Sequence, residues 1–199
     1  MIRNGFLKKT VFVTLLAGIS AAGAYAQITI SAGFALGRVD ANGAGIHLEG
    51  TTGLGANIYL DYLLPINIPL SIGGEIGVDT SSLSGGGDTM TTMAVPILLR
   101  AAYHFDLLPK LDLYAVGKLG YALGFVTAGT VQQNFDSAGG FAIGIDAGAA
   151  YYFAAAFGAF IEAGFDNYMI ESKFSVGSFS QTISTPFSRF FTVGLSFKR

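Results

Sequence analysis

Eight stretches of this sequence alternate between a large apolar residue and a small or polar one, and this alternation limits the possible folds more than any other feature. A period of two is typical of β-strands, because successive side chains point to opposite faces. Each stretch is long enough for the roughly 9–11 residues with which a tilted strand crosses a bilayer. The outward apolar sets begin at Ile28, Leu54, Leu70, Met93, Leu111, Phe141, Ala159 and Phe187.

The residues between the apolar ones indicate which face meets lipid. They are mostly Gly, Ala and Ser, with an occasional charge. A water-soluble barrel would carry many Lys and Glu residues outside, whereas only 12% of this chain is charged and 51% is hydrophobic. Small residues suit the narrow interior of an eight-stranded barrel. We therefore predict an all-β fold, a transmembrane antiparallel up-and-down β-barrel of about eight strands.

The connections between the segments alternate in length, as in barrels with long external loops and short periplasmic turns. The long, polar connections are 38–52, 80–92, 127–140 and 167–186, and the short ones are 63–69, 105–110 and 154–156. Both chain ends are therefore predicted on the short-turn side. Aromatic residues also gather at strand ends on that side, namely Tyr62, Tyr103, Phe105, Tyr151, Tyr152, Phe153, Phe157 and Phe197.

The N-terminal residues have the pattern of a secretory signal. Basic residues precede the short apolar stretch 10–20, and residues 24–26 (AYA) form a small-x-small cleavage site. We predict a cleaved signal peptide, 1–26, followed by one outer-membrane β-barrel, 27–199. The sequence has no cysteine, which excludes disulfides, thiolate zinc sites and lipid attachment to a Cys at the cleavage site.

Several segments together resemble the small outer-membrane β-barrels of the OmpA/OmpX/OmpW type. They are the leader, the eight alternating stretches, the turn Asp61–Pro65, the segment Val95–Phe105 and the terminal alternation Phe190–Phe197. The resemblance covers 27–199 and implies a bacterial outer-membrane location. It also implies contact with outer-membrane lipid, and delivery by periplasmic chaperones to the barrel-assembly machinery. We expect a monomer with no cofactor, and the 13 acidic against 11 basic residues do not favour nucleic acid as a partner.

The resemblance leaves two kinds of function open. The OmpW-like branch implies passage of small hydrophobic molecules, and the OmpX-like branch implies a closed structural or adhesive barrel. Our first expectation is a narrow passive conduit for small molecules, which would be hydrophobic ones if the chain resembles the OmpW-like branch. The alternative is a non-conducting structural or surface-interaction barrel. A lumen closed by paired charges favours the alternative, whereas an apolar upper lumen that opens sideways between strands favours the conduit.

Strand alternation places a set of charged residues inside the barrel, comprising Asp61, Glu75, Asp79, Arg100, Asp112, Lys118, Asp146, Glu162 and Asp166. Placing the strands symmetrically about each loop sets Glu75 opposite Arg100, and Lys118 opposite Asp146. We expect a network of charges across neighbouring strands, made of Glu75, Arg100, Lys118, Asp146 and Glu162 with Asp61. It would act either as a cation-favouring gate or as a structural plug, because isolated buried charges are costly. The narrow lumen favours the plug.

We do not predict an enzyme or a metal site. The weakest of three hypotheses is a membrane lipid enzyme that uses His47, near Asp79, Ser81 and Ser82 in the next long connection. The other histidine, His104, is predicted at the opposite end of the barrel. Partners could bind the long connections, where the surface candidates are His47, Phe174 and Phe179. Alternation in the fourth connection indicates either that its strands continue beyond the membrane as a hairpin, with an edge for partner strands, or that the connection folds over the mouth of the barrel.

Overall fold

A computed structural model of the chain describes residues 27–39, 41–43, 46–85, 88–128, 138–176 and 179–199. Its strands are β1 (Gln27–Val39), β2 (Ala41–Gly43), β3 (Ile46–Gly50), β4 (Thr52–Leu63), β5 (Leu70–Gly85), β6 (Asp88–Leu108), β7 (Leu111–Ala128), β8 (Ala138–Tyr152), β9 (Phe157–Tyr168), β10 (Glu171–Val176), β11 (Phe179–Ser184) and β12 (Phe187–Lys198). Within these ranges no helix is long and apolar enough to cross a membrane. The predicted signal peptide, 1–26, lies outside the described residues.

Eight of the strands close into an antiparallel barrel, which confirms the predicted fold. The strands β4 to β9 each pair with their neighbours along the chain, and β1 pairs with β4. Strand β12 pairs with β9 and with β1 and so closes the ring, from Thr29 opposite Lys198 to Val39 opposite Phe187. Each of the eight strands therefore has two hydrogen-bonded partners. Such closure satisfies the backbone groups that lipid cannot.

The two faces of the wall are chemically opposite. Large apolar side chains project outward, with Phe34 73% exposed and Leu99 and Ile145 each 70% exposed, whereas the neighbours Leu98 and Asp146 are buried. This confirms the predicted alternation on seven of the eight barrel strands. Among the predicted girdle aromatics, Tyr103, Phe105, Tyr151, Phe153, Phe157 and Phe197 are exposed. The prediction was wrong for Tyr152, which packs against the inward cluster of Tyr59, Ala150 and Phe160.

Strand β12 is the exception to the predicted alternation. Phe187 was expected to face lipid, but it is 1% exposed and stacks on Tyr168 with ring centroids 5.8 Å apart. The pairing of β12 with β9 shifts between Arg189 and Phe191. An extra residue at such a β-bulge reverses the inward-outward order. Phe187 and Arg189 therefore face the lumen, as Thr192 does further along the strand.

The long connections are largely β-structure rather than loops. The predicted connection 80–92 is mostly the continuation of β5 and β6, which pair as far as Gly85 opposite Asp88. Strands β10 and β11 form a hairpin, which was one of the two arrangements left open for the fourth connection, and β2 and β3 form another. Single contacts join β10 to β8 and β11 to β2, while β3 pairs with β5 at Glu49 and Gly50. We call these extensions the external rim.

Candidate functional site

Three cationic side chains lie in the middle of the lumen, one each from β6, β7 and β12. Arg100, Lys118 and Arg189 are 3%, 5% and 2% exposed. All three occupy inward positions on their strands, so their long side chains meet inside the ring. A buried charge without a partner is strongly destabilising. The lumen must therefore supply carboxylates at hydrogen-bonding distance.

Arg100 contacts three carboxylates and one aromatic ring. Its Nη2 donates to Glu162 Oε1 at 2.6 Å and its Nη1 donates to Glu75 Oε2 at 3.1 Å. Its Nε donates to Asp61 Oδ1 at 3.3 Å. The guanidinium carbon lies 3.9 Å from the centroid of the Tyr59 ring, a cation–π contact. This single side chain thus links strands β4, β5, β6 and β9.

Lys118 is surrounded by four carboxylates. Its Nζ lies 2.5 Å from Asp146 Oδ2 and 3.1 Å from Asp166 Oδ2. The same nitrogen is 3.4 Å from Glu162 Oε2 and 3.5 Å from Glu75 Oε2. Because Arg100 uses the same two glutamates, the two cations are joined through shared partners.

Arg189 completes the group and was missed by the sequence analysis. Its Nε donates to Asp166 Oδ2 at 2.8 Å, and its Nη2 contacts both Asp166 and Glu75. One signal could have found it: an arginine in a membrane strand must avoid lipid, where it costs about 2–4 kcal/mol. Arg189 and Thr192 are three positions apart on β12, so strict alternation would place them on opposite faces of the strand. Both can face the lumen only if a bulge lies between them.

We call this group the lumen ion network: Asp61, Glu75, Arg100, Lys118, Asp146, Glu162, Asp166 and Arg189. The structure brings together all six residues assigned to the network from the sequence. The predicted register differs by two residues, since Arg100 lies opposite Gly73 rather than Glu75. Long side chains bridge this diagonal offset. In the described part of the chain, no group of three or more Asp, Glu, His or Cys side chains is arranged to hold a metal ion.

Glycines make room for the network. Gly144 lies opposite both Lys118 and Asp166, and a Cβ at Gly144 would collide with the Asp166 carboxylate. Gly148 lies opposite Tyr114, whose ring occupies the space of the missing side chain. The small residues of the inward face therefore fit the few large ones closely.

The lumen is also filled on both sides of the network. Toward the external rim, an apolar cluster includes Val39, Leu98, Tyr168, Ile170 and Phe187, all buried. A void of only about 10 Å³ lies beside it, which is at most the space of one water molecule. Toward the short turns, Tyr59 packs on Phe160 with ring centroids 5.4 Å apart. In the described residues, most of the ion network thus sits between two packed layers, while Asp61 and Arg100 also line a cavity on the short-turn side.

A larger cavity, of about 70 Å³, lies at the short-turn end of the lumen. Its wall includes Ser71, His104, Asp112, Tyr114 and Lys198. It has room for roughly five water molecules. The structure therefore places His104 beside the short turns, where its backbone N–H donates to Pro69 O at 2.8 Å.

The surface candidates lie in the external rim. The backbones of His47, Phe174 and Phe179 pair within β3, β10 and β11; their side chains lie outside what the structure describes. Of the residues expected near His47, Asp79 is buried in the lumen, and Ser81 Oγ donates to Thr51 O at 2.6 Å.

No protein-family model matches the chain, and no curated protein sequence matches it. Solved structures share its fold. The outer-membrane protein AlkL, determined in DMPC bilayers, gives a TM-score of 0.56 at 12% identity over 89% of this chain and 92% of AlkL. The outer-membrane protein OprG of Pseudomonas aeruginosa gives a TM-score of 0.51 at 12% sequence identity, over 87% of this chain and 95% of OprG. Ail is the attachment invasion locus protein of Yersinia pestis, and its structure was solved with the heparin analogue sucrose octasulfate. It gives a TM-score of 0.51 at 15% sequence identity, over 88% of this chain and 100% of Ail.

These identities establish the fold alone. The chain has the fold of bacterial outer-membrane β-barrels, as the sequence predicted. The apolar exterior and charged interior agree with that fold, because only lipid suits such an outer face. Fold and surface chemistry together place the barrel in a bacterial outer membrane.

Proposed function

We propose that this protein is a non-conducting outer-membrane barrel, sealed by the lumen ion network, whose external rim carries its interactions. This is the second of the two functions that the sequence left open. The observation that carries the proposal is that Arg100, Lys118 and Arg189 each contact at least two carboxylates while at most 5% exposed.

The contacts of the network support a plug rather than a gate. A gate needs a second arrangement of similar energy, reached by moving a charged side chain aside. Here the removal of Arg100 would leave Asp61, and the removal of Lys118 would leave Asp146, without its cation, and each removal would also take one partner from the shared glutamates, which is costly in a low-dielectric interior. The close fit of Asp166 against Gly144 also leaves little space into which the carboxylate could turn.

The wall supports sealing in the sideways direction as well. Lateral passage of a hydrophobic molecule needs a gap between neighbouring strands above the network. In the described part of the wall, β9 stays paired with both β8 and β12 as far as Tyr168. Buried apolar side chains, including Ile170 and Phe187, fill the space behind that pairing. These observations favour the sealed barrel over a lateral conduit.

The external rim is the part left to meet a partner. It extends β5 and β6 to Gly85 and Asp88 and adds the hairpins β2–β3 and β10–β11. A hairpin that stands beyond the membrane offers backbone groups for strand pairing with another protein. Among the described residues, β11 pairs with β2 at a single position, Ser184 opposite Asn42, so the two hairpins are joined to each other only at their bases and the remaining outer edge of β11 is not paired with β2.

The test is single-channel recording. The full chain is expressed in a bacterial host, purified from the outer membrane and inserted into a planar bilayer; heat-modifiable gel mobility proves that the barrel is folded. We expect no discrete conductance steps from the folded protein, while a wide porin in the same bilayer gives them. Steps whose size changes in the Lys118→Gln variant would instead establish a conduit lined by the network.

A further inference from the structure

Three side chains from adjacent strands meet at the short-turn end of the lumen. Ser71 lies on β5, His104 on β6 and Asp112 on β7. Ser71 Oγ is 2.8 Å from His104 Nε2, and His104 Nδ1 is 2.9 Å from Asp112 Oδ1 and 3.0 Å from Oδ2. None of them takes part in the lumen ion network. The group therefore needs its own explanation.

The order of the three groups fixes their roles. An ionised Asp112 can only accept hydrogen bonds, so it holds the imidazole with its proton on Nδ1. Nε2 is then free of a proton and accepts the hydrogen bond from the Ser71 hydroxyl. A hydroxyl, a base that accepts its proton and a carboxylate that orients the base form the arrangement that activates serine in acyl transfer.

Strand register holds this geometry in place. Ser71 on β5 lies opposite Ala102 on β6, and Ala102 is the inward residue next to His104 along β6. His104 in turn lies opposite Tyr114 on β7, and Tyr114 is the inward residue next to Asp112 along β7. The group therefore runs diagonally over the inner face of three paired strands. The rings of His104 and Tyr114 lie 5.7 Å apart between centroids. Sites built on strands in this way are held more rigidly than sites on loops.

The group also faces usable space. All three side chains line the cavity of about 70 Å³ at the short-turn end. The side chains of His104 and Asp112 are 19% and 15% exposed, whereas Ser71 is buried, with 3% of its surface exposed where it meets the cavity wall. Lys198 lines the same cavity, with its ammonium nitrogen 5.0 Å from the centroid of the Tyr152 ring, another lining residue. A cationic donor in such a cavity can stabilise the negative charge that develops on a carbonyl oxygen.

We propose that Ser71, His104 and Asp112 form a hydrolytic site for small carboxylic esters that enter from the short-turn, periplasmic mouth. Ser71 Oγ forms a bond to the ester carbonyl carbon as its proton passes to His104 Nε2. The bond to the leaving alcohol breaks, and the alcohol takes that proton. Water then repeats the sequence on the acyl-serine, releases the acid and restores Ser71. The cavity limits the acyl group to a few carbon atoms.

The experiment uses the purified, folded full chain and a small fluorophosphonate probe that reacts only with activated serines. We expect one phosphonate adduct, located on Ser71 by peptide mass spectrometry, together with hydrolysis of p-nitrophenyl acetate above the rate in buffer. His104→Ala should lower the rate of phosphonate labelling and the rate of ester hydrolysis by about 10²-fold or more, which is the usual contribution of a general base.

Asp112 is a positioning residue, so its test separates position from structure. Asp112→Asn keeps the shape but removes the charge, and should lower kcat with little change in KM. Asp112→Glu should recover part of the lost rate. Equal rates in all three forms would overturn the assignment.

A matched control comes from the same strand. Ser81 on β5 is also buried, but its hydroxyl donates to the backbone of Thr51 at the other end of the barrel. Ser81→Ala should leave labelling and hydrolysis unchanged, while Ser71→Ala abolishes both. Folded protein without an adduct on Ser71, or with labelling that does not depend on His104, would refute the proposal.

Discussion

Two groups of polar side chains share the lumen, and they differ in how much space surrounds them. In the lumen ion network the three cations are at most 5% exposed and lie between two apolar layers, although Asp61 and Arg100 also reach the wall of the cavity at the short-turn end. At the short-turn end, His104 and Asp112 stand beside a cavity of about 70 Å³ and are partly exposed. Similar chemistry therefore closes the barrel in one place and leaves a reactive group accessible in the other.

The number of partners differs as well. Lys118 has four carboxylates within 3.5 Å, so the loss of one contact leaves three. His104 has a single carboxylate on one side and a single hydroxyl on the other. Redundant contacts favour stability, whereas a single ordered relay favours directed proton transfer. Variants in the two regions should therefore separate stability from reactivity.

The largest expected effect is in the network. Arg100→Ala removes one cation from three carboxylates and leaves them buried, which should cost about 3–5 kcal/mol in the free energy of unfolding. Urea unfolding of the barrel in lipid vesicles measures this cost, with Lys198→Ala at the barrel end as the control of small effect. Unchanged stability together with an unchanged conductance record would argue against both the plug and the gate.

A smaller effect is expected where a glycine makes room for the network. Gly144→Ala places a Cβ against the Asp166 carboxylate and should cost about 1–3 kcal/mol, as overpacking usually does. Gly117 is the matched control, because it faces outward and a Cβ there would have no neighbour within 4 Å. The same unfolding measurement applies to both variants. Equal stability of the two would mean that the lumen is less tightly packed than its geometry indicates.

The smallest effect on stability should come from the short-turn end. Ser71→Ala removes one neutral hydrogen bond, worth about 1 kcal/mol, and the cavity lets water take its place. We expect nearly unchanged unfolding together with complete loss of fluorophosphonate labelling. If Ser71→Ala lowered the free energy of unfolding as much as Arg100→Ala does, the two regions would not differ in their contribution to stability.

The sequence predicted strand identity and facing well, because a two-residue error in register leaves every side chain on its own face. Arg100 was set opposite Glu75 instead of Gly73, and yet it was correctly placed in the lumen. The bulge in β12 has a different effect from an error in register. Its one extra residue moves every side chain that precedes it on the strand to the opposite face. This reversal turned Phe187 inward and kept Arg189 out of the predicted network.

The contact between Ser71, His104 and Asp112 could not be predicted for a related reason. Alternation places all three inward, but a contact between them depends on the offset between three strands. That offset is set by hydrogen bonds around the short turns, such as that from His104 N to Pro69 O, and composition does not encode it. Periodicity thus defines the faces of a strand, while turn geometry defines which inward residues meet.

The position of Arg189 on the last strand has a consequence for assembly. Glu75 precedes Arg189 by 114 residues along the chain, and Asp166 precedes it by 23. An open sheet that lacks β12 keeps these acids in water, where they need no counter-charge. Pairing of β12 with β1 expels the water and brings Arg189 to both acids, which Lys118 on β7 also contacts. Ring closure therefore also adds the third cation to the lumen ion network, so a chain truncated before Arg189 lacks both the closing strand and that cation.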